Sequence, residues 1–368
     1  MKKDNISVIG IGRLGLCLCL TLEKSGYNVI GCDILKSYVD NLNEKKFKSY
    51  EKNVNKYLVN AKKFRATTNT KDVIDHSNVI FVTVRTESEN NGEYDVSQVD
   101  SVIEGLIRLG YQKIKKSLII NCNVNPGYSD HVQKKLENLN YVISYNPEWV
   151  KQGSILFDQS NPDTVVIGSP TKEEQNKIEK IYSKICLNNP SIHKMNRLSA
   201  EITKISLNCA LTTKITMANM IGDIALSQGQ DPDTILKAIG SDSRIGTKFF
   251  SYGFGFGGPC FPRDTRAFNH YSSKCNVNSS LIVSTIETNN SHLLFQVNNF
   301  CKNNPDKNIP VIIDTVTYKK GTNIIDESQQ LLYALKLKEK GYKVIIKDNE
   351  DVINKLKNLY GEMFIYEK

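Results

Sequence analysis

Long apolar runs, paired cysteines and lipidation signatures are all missing from this 368-residue sequence. No apolar stretch approaches the roughly 18 residues that a membrane-spanning helix needs, which argues against an integral membrane protein. The nine cysteines form no C-x-x-C pair and no zinc-ligand spacing, a pattern typical of reduced thiols in a reducing compartment. We therefore expect a cytoplasmic protein that uses neither a metal ion nor a membrane partner.

Features of nucleic-acid binding are also absent, although the net charge is +9. The lysines are spread along the chain, without a basic stripe interleaved with aromatic residues. Anionic small molecules account for a positive charge of this size, so we expect no nucleic-acid partner. With 40% hydrophobic and 24% charged residues, the composition is ordinary for a globular enzyme, and the length allows two or three domains.

What the sequence does contain begins with a glycine-rich turn near its N-terminus. An apolar strand pattern over Ile6–Ile9 runs into Gly10-Ile11-Gly12-Arg13-Leu14-Gly15, and an apolar helical stretch follows over Leu16–Leu22. In a dinucleotide-binding turn the first glycine allows the tight bend, the second lets a pyrophosphate approach the backbone, and the third allows close helix packing. The helix N-terminus adds partial positive charge. The whole turn, including Arg13 and Leu14, is therefore a predicted cofactor site.

The next predicted strand, Tyr27–Cys32, ends at Asp33. A carboxylate at this position accepts hydrogen bonds from a ribose 2′-hydroxyl and repels a 2′-phosphate, which favours NAD over NADP. A secretory signal peptide is the alternative interpretation, because Lys2 and Lys3 precede an apolar stretch. Arg13 interrupts that stretch and no small-x-small cleavage pattern follows, so the sequence favours an NAD-binding domain.

Residues 1 to about 195 alternate between strand and helix patterns, which predicts a doubly wound parallel α/β sheet. The later predicted strands of this region are Phe64–Thr67, Val79–Val84, Ser117–Asn123, Tyr141–Tyr145 and Thr164–Gly168, and its later helices are Val96–Leu109, Ser129–Leu139 and Lys172–Lys184. One long helical pattern over Leu198–Ser227 and a shorter one over Pro232–Ile239 predict a helical middle. A further strand–helix–strand unit is predicted from Pro310–Asp314, Gln329–Lys340 and Tyr342–Lys347.

A single cysteine follows two glycines in the segment Phe254-Gly255-Phe256-Gly257-Gly258-Pro259-Cys260-Phe261-Pro262-Arg263-Asp264. The glycines let the backbone approach a ligand, and the prolines stiffen a loop on either side of the sulfur. Arg263 would favour a thiolate by its charge, and Asp264 would serve as a proton acceptor or water orienter. Cys260 is therefore a candidate nucleophile for a covalent carbonyl adduct, and the alternative is a small buried cysteine in a glycine-rich turn.

Three further groups of polar residues bear on this cysteine. Glu148 lies in the segment Asn146–Ser154, which follows the end of a predicted strand, where sites cluster in open α/β sheets. Glu201, Lys204 and Asn208 recur on one face of the long predicted helix. The pair Lys319-Lys320 would suit a phosphate or a sugar hydroxyl. Each group taken alone is also compatible with a solvated surface.

Together these segments resemble the UDP-glucose and GDP-mannose dehydrogenase family, most closely its UDP-glucose branch. The resemblance spans Asn5 to about Ser328 and rests on the glycine turn with Asp33, Asn146-Pro147-Glu148 through Gly153-Ser154 to Asn161-Pro162-Asp163, Lys204 with Asn208, Asp242-Ser243-Arg244-Ile245-Gly246, and Phe256-Gly257-Gly258 to Cys260 with Asp264. It implies a Rossmann-like NAD-binding domain over residues 1–195 and a central helical domain over 196–295, through which two subunits pair. A shortened Rossmann-like domain over 296–368 would hold the UDP of a UDP-sugar substrate.

The resemblance also implies a four-electron oxidation of a sugar C6 alcohol to a carboxylate, with two NAD molecules used in succession. Lys204, or a water held beside it, would take the hydroxyl proton, and the Cys260 thiolate would capture the aldehyde as a thiohemiacetal. Lys204 and Asn208 would stabilise the oxyanion of this adduct. A water activated by Asp264 or Glu148 would then hydrolyse the thioester.

Further contacts follow from the same resemblance. Thr86 and Arg263 match positions assigned to NAD, and Arg244 matches a residue that reaches the sugar of a neighbouring subunit. The implied substrate contacts are Glu148, Lys204, Asn208, Arg244, Phe256, Gly257 and Lys320.

Several positions depart from the family pattern. Gln152 replaces a second glutamate of the family pattern. An amide takes no proton at neutral pH, so this chain has one candidate hydrolytic base fewer. Asp326 replaces an arginine and so reverses the charge. The other departures are Cys122-Asn123 for a Ser-Thr pair that holds water, Arg85 for a loop proline, and Arg263 for a lysine. A UDP-N-acetylhexosamine or GDP-mannose dehydrogenase, a dehydrogenase that stops at the aldehyde, and a sugar-nucleotide-binding relative without full turnover therefore stay open.

Overall fold

The chain divides into two compact units, Met1–Lys204 and Ile205–Lys368, and the computed structural model describes residues 4–367. A single long helix, Arg197–Ser227, includes the boundary between the units. Among the described residues no helix is both long enough and apolar enough to span a bilayer. The predicted division into three domains at about residues 195 and 295 stays a prediction.

An eight-stranded sheet forms the centre of the first unit as the structure describes it. Its strands are β1 Asn5–Ile9, β2 Asn28–Cys32, β3 Phe64–Thr67, β4 Val79–Val82, β5 Lys116–Ile120, β6 Tyr141–Tyr145, β7 Thr164–Gly168 and β8 Ser191–Met195, in the spatial order β3-β2-β1-β4-β5-β6-β7-β8. The first six strands pair in parallel, which confirms the predicted Rossmann-like sheet. β7 and β8 are parallel to each other but run antiparallel to β6, so the prediction of a wholly parallel sheet is corrected there.

Helices cover this sheet on both faces. They are α1 Arg13–Lys24, α2 Lys36–Asn43, α3 Val54–Asn60, α4 Thr70–His76, α5 Ser97–Leu109, α6 Tyr128–Leu136, α7 Ile155–Ser160 and α8 Lys172–Ile185. Along β4, Phe81 joins one buried apolar cluster while Ile80 and Val82 join the other. This alternation follows from the period of two in a strand, and apolar residues on both faces are typical of a parallel sheet covered by helices.

The second unit contains most of the long helix and a smaller α/β lobe. Its described elements are α9 Arg197–Ser227, α10 Pro232–Gly240, α11 Phe261–Lys274, α12 Ser280–Asn303, β9 Val311–Ile313, α13 Gln329–Glu339, β10 Val344–Lys347, α14 Glu350–Tyr360 and β11 Ile365–Glu367. The three strands form a parallel sheet in the order β11-β10-β9. The predicted long helix and the predicted C-terminal strand–helix–strand unit are confirmed.

Side-chain caps explain where several helices begin. The Asp231 carboxylate accepts hydrogen bonds from the backbone N–H groups of Asp233 and Thr234, both at 3.1 Å, and Pro232 opens α10. The Ser328 hydroxyl accepts from the Leu331 N–H at the start of α13. Such caps satisfy N–H groups that have no partner within the helix. By contrast, the sequence analysis did not predict α11 and α12.

Candidate functional site

Three glycines of the turn between β1 and α1 meet three different environments. Gly10 has a φ of +86°, and a Cβ atom there would lie 2.7 Å from Val84 Cγ1. A Cβ atom at Gly15 would overlap the Gly10 carbonyl oxygen, whereas one at Gly12 would meet nothing within 4 Å. The fold therefore requires Gly10 and Gly15, while Gly12 leaves open space at the first turn of α1. An anion can approach the helix N–H groups through that space.

A cavity of about 380 Å³ opens beside this turn. Gly12, Asp33, Tyr38 and Phe47 are among its lining residues. The two aromatic rings meet edge to face with centroids 5.0 Å apart, and the Tyr38 hydroxyl donates to the Ile11 carbonyl oxygen at 2.7 Å. Apolar walls with one carboxylate suit a nucleoside, so these residues fit the adenosine part of NAD. The sequence did not predict Tyr38 and Phe47, because they carry no periodic signal.

The other predicted cofactor residues of the first unit lie on neighbouring segments. Arg13 begins α1 and is exposed, and its guanidinium donates to the Gln152 side-chain oxygen in the loop after β6. Leu14 packs against the apolar cluster beneath α1. Thr86 is buried in the segment after β4. The sequence analysis identified Gln152 only as the replacement for a glutamate. In the structure its hydrogen bond with Arg13 links the loop after β6 to the glycine turn.

Glu148 lies three residues after the end of β6, at the carboxyl edge of the sheet. Burial raises the pKa of Glu148 to about 7, against the opposing effects of a hydrogen bond from Gln159 and the charge of Lys204. The Gln159 amide nitrogen lies 3.4 Å from Glu148 Oε1. A carboxyl group that titrates near neutrality can both take up and release a proton at physiological pH.

Lys204 is buried and lies beside this loop. Its ammonium group donates to the Glu148 backbone carbonyl oxygen at 3.0 Å and lies 4.6 Å from the centroid of the Trp149 ring. The structure therefore brings the predicted residues Glu148 and Lys204 together. Glu201, predicted on the same helical face, instead accepts from the backbone N–H groups of Gly127 and Ser129 at the start of α6, so its role is structural.

In the second unit, Cys260 is exposed and occupies the N-cap position of α11. The sequence predicted a stiff loop around this cysteine, and this is corrected: a helix begins at the next residue. Pro262 lies in the first turn, where the missing N–H group costs nothing. The N-terminus of a helix stabilises negative charge, so the position suits a thiolate.

Asp264 is fully buried in the first turn of α11. Its carboxylate accepts from the Asn208 side-chain amide at 2.5 Å and from Arg263 Nε at 3.2 Å. The structure therefore brings the predicted residues Asn208, Arg263 and Asp264 together. Cys209 lies beside them, with its sulfur 3.8 Å from the Asp264 carbonyl oxygen, and burial raises the pKa of this thiol to about 12. Cys209 is therefore protonated at neutral pH.

The glycines before Cys260 are required by packing. The backbone N–H and carbonyl of Phe256 bond to the Asn289 side chain at 2.8 and 3.1 Å. A Cβ atom at Gly257 would overlap the Glu327 carbonyl oxygen, and one at Gly258 would overlap the Tyr318 ring. No larger residue fits at either position without displacing a neighbour.

Two further predicted substrate residues are exposed. Arg244 lies in the segment between α10 and α11, and its guanidinium contacts the Asp242 carboxylate at 2.7 Å. Lys320 lies in the segment between β9 and α13, as does Asp326.

Comparison with known proteins matches residues 4–186 to the NAD binding domain of the UDP-glucose/GDP-mannose dehydrogenase family and residues 198–291 to the central domain of that family. A UDP-glucose 6-dehydrogenase of Rickettsia bellii is 29% identical over 98% of this chain and 85% of its own length. A solved UDP-glucose dehydrogenase from Pyrobaculum islandicum has a TM-score of 0.89 at 24% identity, covering 99% of this chain and 86% of the other. A UDP-D-ManNAc dehydrogenase from Pyrococcus horikoshii has a TM-score of 0.80 at 22% identity, covering 93% and 83%.

Proposed function

We propose, from the premise that this chain belongs to the UDP-glucose/GDP-mannose dehydrogenase family, that it oxidises the C6 alcohol of UDP-glucose to the carboxylate with NAD. The observation that carries the proposal is the exposed Cys260 thiol at the N-cap of α11. The name of the Rickettsia relative supports UDP-glucose as the substrate. We further propose that the protein acts in the cytoplasm as a homodimer, in which Arg244 reaches the sugar bound by the partner subunit.

NAD fits the residues of the first unit. The open space at Gly12 admits a pyrophosphate to the N-terminus of α1, and Asp33 offers a carboxylate to the ribose hydroxyls. Arg13, Leu14, Thr86 and Arg263 complete the proposed cofactor contacts. When bound, NAD accepts the hydride that leaves C6.

The first oxidation requires a group that takes the hydroxyl proton as the hydride leaves. We assign this role to Lys204 or to a water that it holds. The Cys260 thiolate then adds to the aldehyde carbon, a C–S bond forms, and the carbonyl oxygen becomes an oxyanion. Lys204 and Asn208 would stabilise that charge through an ammonium and an amide donor.

The second oxidation, in which a second NAD would accept the hydride, converts the thiohemiacetal into a thioester, which water hydrolyses. The water adds to the thioester carbon, the C–S bond breaks, and Cys260 leaves as a thiolate. Glu148, whose pKa is raised by burial to about 7, suits the base that takes the proton of this water. Asp264 suits an orienting role, because its carboxylate already accepts hydrogen bonds from Asn208 and Arg263. Gln152 is an amide and takes no proton at neutral pH, so Glu148 is the more suitable hydrolytic base of the two.

The test is NADH production by purified protein against UDP-glucose, UDP-N-acetylglucosamine, UDP-N-acetylmannosamine and GDP-mannose. We expect UDP-glucose to give the highest kcat/KM and two NADH per sugar. One NADH per sugar would indicate a dehydrogenase that stops at the aldehyde. A higher kcat/KM for another sugar nucleotide would identify that compound as the substrate in place of UDP-glucose. Binding of sugar nucleotides without any NADH production would indicate a binding protein.

Glu148→Gln should remove a pH-dependent limb of the activity. If Glu148 is the hydrolytic base, the wild-type kcat rises with pH through an apparent pKa of about 7, because only the ionised carboxylate takes a proton. The variant should lose this limb and about 10²-fold in kcat. The measurement is kcat between about pH 6 and pH 8.5.

Stability provides a readout that needs no substrate. Folding raises the Glu148 pKa from 4.5 to about 7, so the folded state releases this proton less readily than the unfolded state. The wild type should therefore lose stability relative to Glu148→Gln as the pH rises from 4.5 to about 7. Glu173→Gln, at an exposed position in the first turn of α8, is the matched control and should leave both profiles unchanged. A wild-type kcat that is flat across neutral pH would remove Glu148 from the proposed mechanism.

A further inference from the structure

The segment Tyr252–Phe256, which leads to Cys260, forms neither helix nor strand. Side chains of α9 and α12 hold its backbone instead. The Gly253 N–H donates to the Asn219 side-chain oxygen at 3.0 Å. The Gly253 carbonyl accepts from His292 Nε2 at 2.7 Å and from Gln296 Nε2 at 3.0 Å. Both backbone groups of one glycine are thus fixed by side chains from two helices.

His292 connects this glycine to the partly buried carboxylate of Asp223. The imidazole is 2% exposed, and its Nδ1 lies 2.8 and 3.0 Å from the two carboxylate oxygens of Asp223. The Tyr252 hydroxyl donates to the same carboxylate at 2.9 Å, and the Tyr252 and His292 rings meet edge to face at 5.5 Å. We call Asp223, Tyr252, Gly253 and His292 the histidine clamp.

Both ring nitrogens of His292 face oxygen atoms that accept hydrogen bonds. The Asp223 carboxylate lies against Nδ1 and the Gly253 carbonyl oxygen lies against Nε2. The ring is therefore held between a side chain of α9 and the backbone of the segment before Cys260.

We propose that His292, held by Asp223, is a positioning residue that fixes the segment carrying Cys260. The proposal rests on the proposed function, in which Cys260 is the nucleophile. Gly253 has no side chain to pack and no neighbouring atom within 4 Å of a Cβ position, so its hydrogen bonds carry the restraint. Asn289 holds Phe256 in the same way, three residues closer to the sulfur. A nucleophile displaced by about 1 Å can cost about 10²-fold in rate.

Two substitutions separate positioning from general stability. The amide of His292→Asn reaches the Nδ1 position, so this variant keeps the bond to Asp223 and loses the bond to Gly253. The amide of His292→Gln reaches the Nε2 position and keeps the bond to Gly253. We expect His292→Asn to lower the iodoacetamide alkylation rate of Cys260 about fivefold and kcat about tenfold, with KM for NAD unchanged, and His292→Gln to retain more than about half of both rates.

Mass spectrometry of each cysteine-containing peptide gives the controls. Cys275, exposed at the C-terminal end of the same helix α11, should react equally in all variants. Ser291→Ala should behave as the wild type, because the Ser291 hydroxyl bonds to the Glu287 carbonyl oxygen within α12. Alkylation needs neither NAD nor sugar, so it tests the proposal even if the wild type produces no NADH.

Unchanged Cys260 alkylation in His292→Asn, or equal losses in both histidine variants, would overturn the proposal. Labelling of the buried Cys17 would show that His292→Asn has unfolded, and the test then rests on His292→Gln. Retained alkylation of Cys260 in His292→Gln supports the proposal, and loss of that alkylation contradicts it.

Discussion

Cys260→Ser should lower steady-state NADH production from UDP-glucose by at least about 10³-fold, the scale of loss that follows removal of a catalytic nucleophile. A serine hydroxyl is far less nucleophilic at neutral pH than a thiolate, so the aldehyde is not captured and the second oxidation is blocked. Binding of UDP-glucose should stay within about twofold, because binding does not require the covalent bond. NADH absorbance and calorimetric titration measure the two quantities.

Cys275→Ser is the matched control for this substitution. Cys275 is also exposed and lies at the other end of α11, so the change has the same chemistry without touching the proposed nucleophile. It should leave NADH production within about twofold of the wild type. Full conversion of UDP-glucose to the acid by Cys260→Ser would refute the covalent route.

Gly12→Ala should mainly weaken NAD binding and Gly15→Ala should mainly lower stability, although the two glycines belong to one turn. A methyl group at Gly12 meets no protein atom within 4 Å, so the variant should fold with a loss of stability below about 1 kcal/mol. The same methyl group occupies the space proposed for the pyrophosphate, and KM for NAD should rise at least about tenfold. A methyl group at Gly15 overlaps the Gly10 carbonyl oxygen and should cost about 1–3 kcal/mol of stability or more.

Thermal unfolding with and without NAD measures both effects. Gly12→Ala should unfold near the wild-type temperature and lose the increase in Tm that NAD produces, whereas Gly15→Ala should already be less stable without NAD. Gly105→Ala in α5 is the control, because the nearest atom to a Cβ there is the end of the Arg108 side chain at 3.9 Å. NAD affinity of Gly12→Ala equal to that of the wild type would place the pyrophosphate elsewhere.

The sequence alone determined the framework that carries these residues. β3, β6 and β7 begin and end where the apolar pattern predicted, because a strand covered on both faces needs a short apolar run with clear ends. The glycine turn and Asp33 could also be predicted from the sequence, since their spacing follows from local backbone geometry. Each of these signals lies within a few residues of chain.

Only the tertiary structure decided the properties that depend on neighbours distant in sequence. It made Cys260 the N-cap of a helix that the sequence analysis did not predict, and it assigned Glu201 to capping α6. It raised the pKa of Glu148 through burial and linked His292 to Asp223, 69 residues away. Desolvation, cavity walls and side-chain hydrogen bonds arise when separate segments pack together, and no local pattern records which segments those will be.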